Sequence, residues 1–92
     1  MSERKLAGKV AVVTGGGTGI GFGISQSLAD AGAAVVIAQR REDKAIQAAA
    51  QLQAAGHRAI GLSINIRYRE QVQALVQRTL EGEDAVLAGV NA

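Results

Sequence analysis

Thr14-Gly15-Gly16-Gly17-Thr18-Gly19-Ile20-Gly21 decides the fold, because hydrophobic periodicity changes across it. Before it, Lys9-Val10-Ala11-Val12-Val13-Thr14 is a short β-branched run with glycine on both sides, which predicts a strand buried on both faces of a parallel sheet. After it, Ile20, Ile24, Leu28 and Ala31 recur at helical spacing, which predicts a helix that stops at Gly32. A glycine turn between a buried strand and a helix suits an anion. Glycine permits positive φ, the missing Cβ lets main-chain N–H groups reach ligand oxygens, and the helix N-terminus adds partial positive charge. The spacing is Gly-x-x-x-Gly-x-Gly; neither G-x-G-x-x-G nor the lysine-bearing P-loop occurs in the chain.

Outward from this turn the alternation continues. Ala34-Val35-Val36-Ile37-Ala38 reads as a second buried strand, followed by an Ala- and Gln-rich helix running to Ala55 and capped by Gly56. Arg58-Ala59-Ile60-Gly61-Leu62-Ser63 reads as a third strand, and Val72, Leu75, Val76 and Leu80 mark a helix with one apolar face, closed by Gly82. Ala85-Val86-Leu87-Ala88 is the candidate fourth strand. The order βαβαβαβ implies right-handed crossovers and a parallel sheet, most simply with strand order 3-2-1-4. Residues 1–92 are read as a single domain, since the length suits one packing unit and no linker, repeat or low-complexity tract divides it. A domain this short buries only about 60–65% of the surface its unfolded chain exposes, so self-association into a homo-oligomer is expected.

Composition excludes several function classes. Ten basic residues stand against eight acidic ones, interspersed, and with one Phe, one Tyr and no Trp there is little to stack on bases, so nucleic acid is not an expected partner. Without cysteine there is no disulfide framework, thiolate nucleophile or thiolate metal site. No apolar run reaches the length of a signal peptide core or a membrane span, so no membrane partner is expected and the cytoplasm is the expected location.

The glycine turn, with Thr14 before it and Ile20 inside it, resembles the Thr-Gly-x-x-x-Gly-Ile-Gly fingerprint of the short-chain dehydrogenase/reductase family. The resemblance covers nearly the whole chain. Leu6-Ala7-Gly8-Lys9-Val10-Ala11-Val12-Val13 is similar to that family's approach to its first strand, and Leu28-Ala29-Asp30-Ala31-Gly32-Ala33 to its helix-to-strand turn. The fold it implies is α/β, the N-terminal half of a doubly wound Rossmann-like sheet. The ligand it implies is a nicotinamide dinucleotide, with Gly15, Thr18, Gly19, Ile20 and Gly21 on positions that contact the cofactor. Gly19 and Ile20 would offer main-chain contacts, and Thr18 its hydroxyl. The extra glycines at 16, 17 and 23 also have a reading as packing or flexibility, preferred for Gly23; Gly17 is kept among the cofactor-binding candidates.

At the end of the second strand, NAD-preferring members place a carboxylate on the ribose hydroxyls, whereas NADP-preferring ones leave room for cations to meet the 2′-phosphate. Gln39 stands where the acid would be, and Arg40 offers a planar fork suited to phosphate, with Arg41 as an accessory. NADP(H) is the expected cofactor and NAD(H) the alternative. The competing reading leaves Arg40 and Arg41 as solvated charges at a helix start, next to Glu42 and Asp43. After the third strand the family carries an Asp that accepts from the adenine amino group; here Asn65-Ile66 stands. Two readings of Asn65 remain open, an acceptor for adenine with Ile66 against the ring, or a turn residue. Asn91-Ala92 echoes the family's Asn-Asn-Ala-Gly turn, and Asn91 is a candidate cofactor neighbour, although its spacing from Asp84 is longer than the pattern expects.

The family's chemistry uses a Tyr whose hydroxyl exchanges a proton with the substrate oxygen, a Lys four residues later, and a Ser. No catalytic residue is assigned here: Tyr68 is the sole tyrosine, Val72 stands four residues on, and the lysines are at 5, 9 and 44. Tyr68 is expected to have a packing or surface role and His57 to be exposed. One histidine and scattered carboxylates make no metal site. The functional expectation is an NADP(H)-binding, reductase-like domain without its own catalytic set; the alternative is a noncatalytic scaffold or partner-binding module that keeps the fold.

Overall fold

The strand Ala34–Gln39 forms the middle of the sheet, and its sequence explains why: Val35, Val36, Ile37 and Ala38 are all 0% exposed, so both faces of the strand are covered. The computed structural model describes residues 5–15, 17, 19–65 and 67–81, without the side chains of 78, 80 and 81. Within these residues the elements are β1 (Val10–Thr14), α1 (Gly19–Asp30), β2 (Ala34–Gln39), α2 (Glu42–Ala54), β3 (Ala59–Ser63) and α3 (Arg69–Glu81). The sheet is parallel with order β1-β2-β3. Val10 pairs with Ala34 and Thr14 with Ala38, while Val35 pairs with Ala59 and Gln39 with Ser63, so the strands are in step and their C-terminal ends share one rim. This agrees with the 3-2-1 part of the expected order; the expected strand at 85–88 lies outside the described residues.

Alternation along β2 sends its side chains into two separate cores. Val35 and Ile37 face Ala29 of α1, Ala45, Ala48, Ala49 and Leu52 of α2, and Ala59, with Val13, Phe22 and Leu28 packed around them. Val36 and Ala38 face the opposite way, toward Leu62, Ile64 and Leu75, with Val10, Val12, Ile60 and Val72 alongside. Helices α1 and α2 therefore cover one face and α3 the other. Fully burying a Val, Ile or Leu side chain contributes roughly 1.5–3 kcal/mol, so β2 and Leu52 are the strongest single anchors of this small core.

The buried positions 45, 48, 49 and 52 of α2 follow the i, i+3, i+4, i+7 stripe of an amphipathic helix, and three of the four are alanine. Small side chains let the helix axis come close to the sheet. At Gly61 of β3 an added Cβ would collide with the Ala45 carbonyl, so the glycine is a packing requirement. Gln53 Nε2 donates to the Ala59 carbonyl at 2.6 Å and ties the end of α2 to the start of β3.

Two expectations are corrected. His57 is not exposed: it is half-buried, and its Nε2 lies 2.9 Å from Asp30 Oδ1, joining the loop after α2 to the end of α1. The reason is the Gly56 turn, which folds the chain back so that the His57 N–H donates to the Leu52 carbonyl. The packing reading of Gly23 fails as well, because it lies on an exposed face of α1 where an added Cβ would meet nothing within 4 Å.

Candidate functional site

The shared rim at the C-terminal ends of the strands holds a cavity of about 350 Å³, lined by Thr14, Gly15, Ala38, Gln39, Arg40 and Ile64. In open parallel sheets this is the end at which ligands bind. The floor is an extension of the ladder: the Gly15 N–H donates to the Ala38 carbonyl at 2.9 Å, and the Ile64 N–H to the Gln39 carbonyl at 3.0 Å. Ser63 Oγ donates to the Arg40 carbonyl at 3.0 Å, which pins the corner after β2 from the neighbouring strand. In the turn above, φ is +67° at Gly15 and +54° at Gly19, a region that L side chains rarely enter.

Helix α1 begins at Gly19, immediately after that turn. The amides of Gly19, Ile20 and Gly21 precede the first i→i−4 bond of a helix starting there, and such orphan N–H groups with the helix dipole form an anion site. No acidic side chain stands in the first turn of α1 to compete for them. Ile20 is 85% exposed at the same end, an apolar side chain left beside polar amides. The Gly15 amide, by contrast, already donates to the Ala38 carbonyl. Thr18 lies outside the described residues.

Gln39 lines the rim cavity, and its Oε1 accepts the Gly17 N–H at 2.9 Å. Arg40 is exposed, and among the described residues its guanidinium has no ion-pair partner. Arg41 differs. Its Nη2 lies 3.0 Å from Asp43 Oδ2 at the start of α2, so its charge is already shared. Desolvation raises the Asp43 carboxyl pKa, but hydrogen bonds from Arg41 and the Lys44 amide, together with the Arg41 charge, outweigh it and leave the pKa below its ordinary value.

Asn65 follows β3 and organises the turn into α3. Its Oδ1 accepts the Arg67 N–H at 3.0 Å, its own N–H donates to Gln71 Oε1 at 2.9 Å, and its carbonyl accepts the Tyr68 N–H at 2.9 Å. The turn role is thus filled, and the residue lining the cavity is Ile64, which sequence reasoning did not single out. Its alternation with Leu62 was the available signal. Ile66 and Asn91 lie outside the described residues. Tyr68 is exposed just before α3, its carbonyl accepting the Gln71 and Val72 N–H groups, far from the role of a buried acid. Among the described residues no cluster of His, Cys, Asp and Glu suits a metal ion, and no helix is long and apolar enough to cross a membrane.

A second cavity, about 380 Å³ and apolar, runs between β1 and α3, lined by Val12, Thr14, Ile64, Val72, Leu75, Val76 and Thr79. Thr14 and Ile64 belong to both cavities, so the two meet at the carboxyl end of β1.

Residues 9–89 match the family described as short chain dehydrogenase. The chain belongs to the short-chain dehydrogenase/reductase family. It is similar to the human dehydrogenase/reductase SDR family member 2, mitochondrial, with 42% identity over 91 residues covering 94% of this chain and 32% of that protein. To the peroxisomal 2,4-dienoyl-CoA reductase of Arabidopsis thaliana it is 39% identical over 76 residues, covering 83% of this chain and 26% of that one. Among solved structures, the hydroxysteroid dehydrogenase from Escherichia coli superposes with a TM-score of 0.77 at 31% identity over 87% of this chain and 33% of that one. The citronellol catabolism dehydrogenase of Pseudomonas aeruginosa PAO1 gives 0.80 at 32% identity over 88% and 34%. The chain therefore spans about a quarter to a third of the length of these proteins, and it shares the Rossmann-like α/β architecture of the two solved structures. Membership of the family implies a nicotinamide dinucleotide as ligand.

Proposed function

We propose that this chain is the NADP(H)-binding part of a short-chain oxidoreductase, without a catalytic Tyr-xxx-Lys set of its own. One observation carries the reading: the rim cavity next to the glycine turn that opens α1 is lined by Gln39, where an NAD-type site would carry an acid, and by Arg40, which has no ion-pair partner among the described residues. Gly19, Ile20 and Gly21 hold the diphosphate through their N–H groups, and Arg40 meets the 2′-phosphate with its guanidinium fork. Arg41 contributes less, since Asp43 already holds it. Thr18 adds a hydroxyl to a phosphate or ribose oxygen, and Gly15 and Gly17 shape the turn. Ile64 and Ile66 flank the adenine, and the second lone pair of Asn65 Oδ1 accepts its amino group. Asn91 borders the nicotinamide side.

When bound, the nicotinamide ring supplies or accepts a hydride, which fits reduction of carbonyls or oxidation of alcohols. The proton that accompanies it needs an acid–base group that none of these 92 residues provides in the family's spacing, Tyr68 being followed by Val72 at the fourth position. Self-association belongs to the same reading, supported by the apolar cavity between β1 and α3.

Calorimetric titration with NADPH and NADH tests the assignment. NADPH is expected to bind more tightly than NADH, and Arg40→Ala to weaken NADPH by roughly tenfold or more while leaving NADH nearly unchanged, the scale of a hydrogen-bonded charge contact. Equal losses for both nucleotides would remove Arg40 from its assigned role. No heat and no competition with either would replace the reading by a noncatalytic module that kept the fold.

A further inference from the structure

We propose that Gln39 is a positioning residue that ties the middle of the glycine turn to the corner between β2 and α2 and so sets the anion site in shape before any ligand arrives. The inference deepens the dinucleotide reading above and rests on it for its consequence, but the tie itself is a property of the ligand-free chain. Three observations converge on it. The Gly17 N–H donates to Gln39 Oε1 at 2.9 Å across twenty-two residues of sequence, a part-buried contact between two segments that share no ladder bond at that level. A Cβ built on Gly17 would stand 2.6 Å from Gln39 Oε1, 3.1 Å from Gln39 Cδ and 3.2 Å from the Lys44 carbonyl, so turn, carboxamide and first turn of α2 are in contact on one side. The backbone of Gln39 is itself anchored, since its carbonyl accepts from Ile64 N–H and the next carbonyl accepts from Ser63 Oγ.

A glycine-rich turn has more backbone freedom to lose than any other, so an anion site made of its amides benefits from a contact that orders it in advance. The Gln39 side chain does this with a neutral acceptor. A carboxylate at 39 would supply the same acceptor to Gly17 and add a charge that repels a 2′-phosphate. An alanine would remove the acceptor and leave Gly17 free. The tie predicts a pattern that a discriminating role alone does not: Gln39→Ala weakens NADH and NADPH by similar factors, in contrast to Arg40→Ala, which acts on NADPH.

The test is amide hydrogen exchange by NMR on the ¹⁵N-labelled 92-residue chain without ligand, comparing wild type, Gln39→Ala and Gln39→Glu. Gly17 is expected to be protected in wild type, to exchange roughly fivefold faster in Gln39→Ala with Val12 and Val36 unchanged, and to keep its protection in Gln39→Glu. Equal Gly17 exchange in wild type and Gln39→Ala overturns the tie. Should Gln39→Ala loosen β1 and β2 as a whole, Gln39→Glu decides alone: protection at Gly17 supports the tie and its loss overturns it. Nucleotide titration of the same samples then separates the two readings. Failure of wild type to bind either nucleotide removes the dinucleotide assignment and with it the proposed consequence, while loss of NADPH binding alone in Gln39→Ala reduces Gln39 to a discriminating contact.

Discussion

At the residue scale, two neighbours at the end of β2 have opposite fates that their identities do not announce. Arg40 and Arg41 are the same residue type in adjacent positions, yet Arg41 is held by Asp43 and Arg40 is unpaired among the described residues. The difference is positional: Arg41 immediately precedes Glu42 and Asp43 in the acidic first turn of α2, where negative charge already complements the helix dipole. The Arg41–Asp43 pair is exposed and contributes little to stability. Its pH dependence has a definite sign. Because the folded-state pKa of Asp43 is lowered, the contribution is present above the ordinary carboxylate pKa and is lost as pH falls through the lowered value; a two-dimensional NMR titration of Asp43 should follow it, and Arg41→Ala should move the midpoint back up. Gly61 is the opposite case, a residue with no charge and a large expected effect. Gly61→Ala places a methyl on the Ala45 carbonyl, and urea unfolding should show a loss of about 1–3 kcal/mol.

At the scale of elements, α2 is held mainly by one large side chain. Ala45, Ala48 and Ala49 contribute close approach but little apolar area, and Leu52, 1% exposed, fills the remaining space against β2. Leu52→Ala should therefore cost about 2–5 kcal/mol, enough in a domain this small to leave a partly unfolded population visible by circular dichroism at room temperature. An unchanged unfolding midpoint would mean the α2 face is held by something other than this contact. The elements were largely readable from their periods: each of the three strands and three helices among the described residues stands where β-branched runs and helical spacing predict it, within one or two residues at the edges. His57 was not readable in this way. A histidine after a helix-ending glycine has no pattern around it, and its burial depends on where α1 brings Asp30.

For the whole molecule, β1 is the strand whose surroundings matter most. One edge pairs with β2, while the apolar cavity on the α3 side is lined by Val12, Val72, Leu75 and the half-exposed Val76. Such a surface gains by being covered, which supports self-association of the 92-residue chain. Size-exclusion chromatography with light scattering should find a dimer or larger species, and Val76→Lys should shift it toward monomer; a wild-type monomer at every concentration would remove the proposal. The same cavity shares Thr14 and Ile64 with the rim cavity, so a change in association is expected to be felt in nucleotide affinity measured across protein concentrations.

What the amino-acid order determined by itself was the layout: the alternation of strand and helix, the parallel sheet, and a glycine turn opening a helix, all properties of local period and backbone freedom. The family resemblance was equally local, carried by Thr14 to Gly21 and the runs on either side. What only the tertiary structure decided were relations between distant residues. The Gly17–Gln39 bond and the place of Ile64 in the cavity wall depend on how parallel strands bring their carboxyl ends to one rim, the Asp30–His57 pair on the opposite rim, and the collision that Gly61 avoids on how closely α2 packs against the sheet. Hydrophobic period records which face of an element is buried, but hydrogen-bond geometry across twenty residues is set by the register of the sheet and the height at which each helix packs, neither of which leaves a periodic mark in sequence.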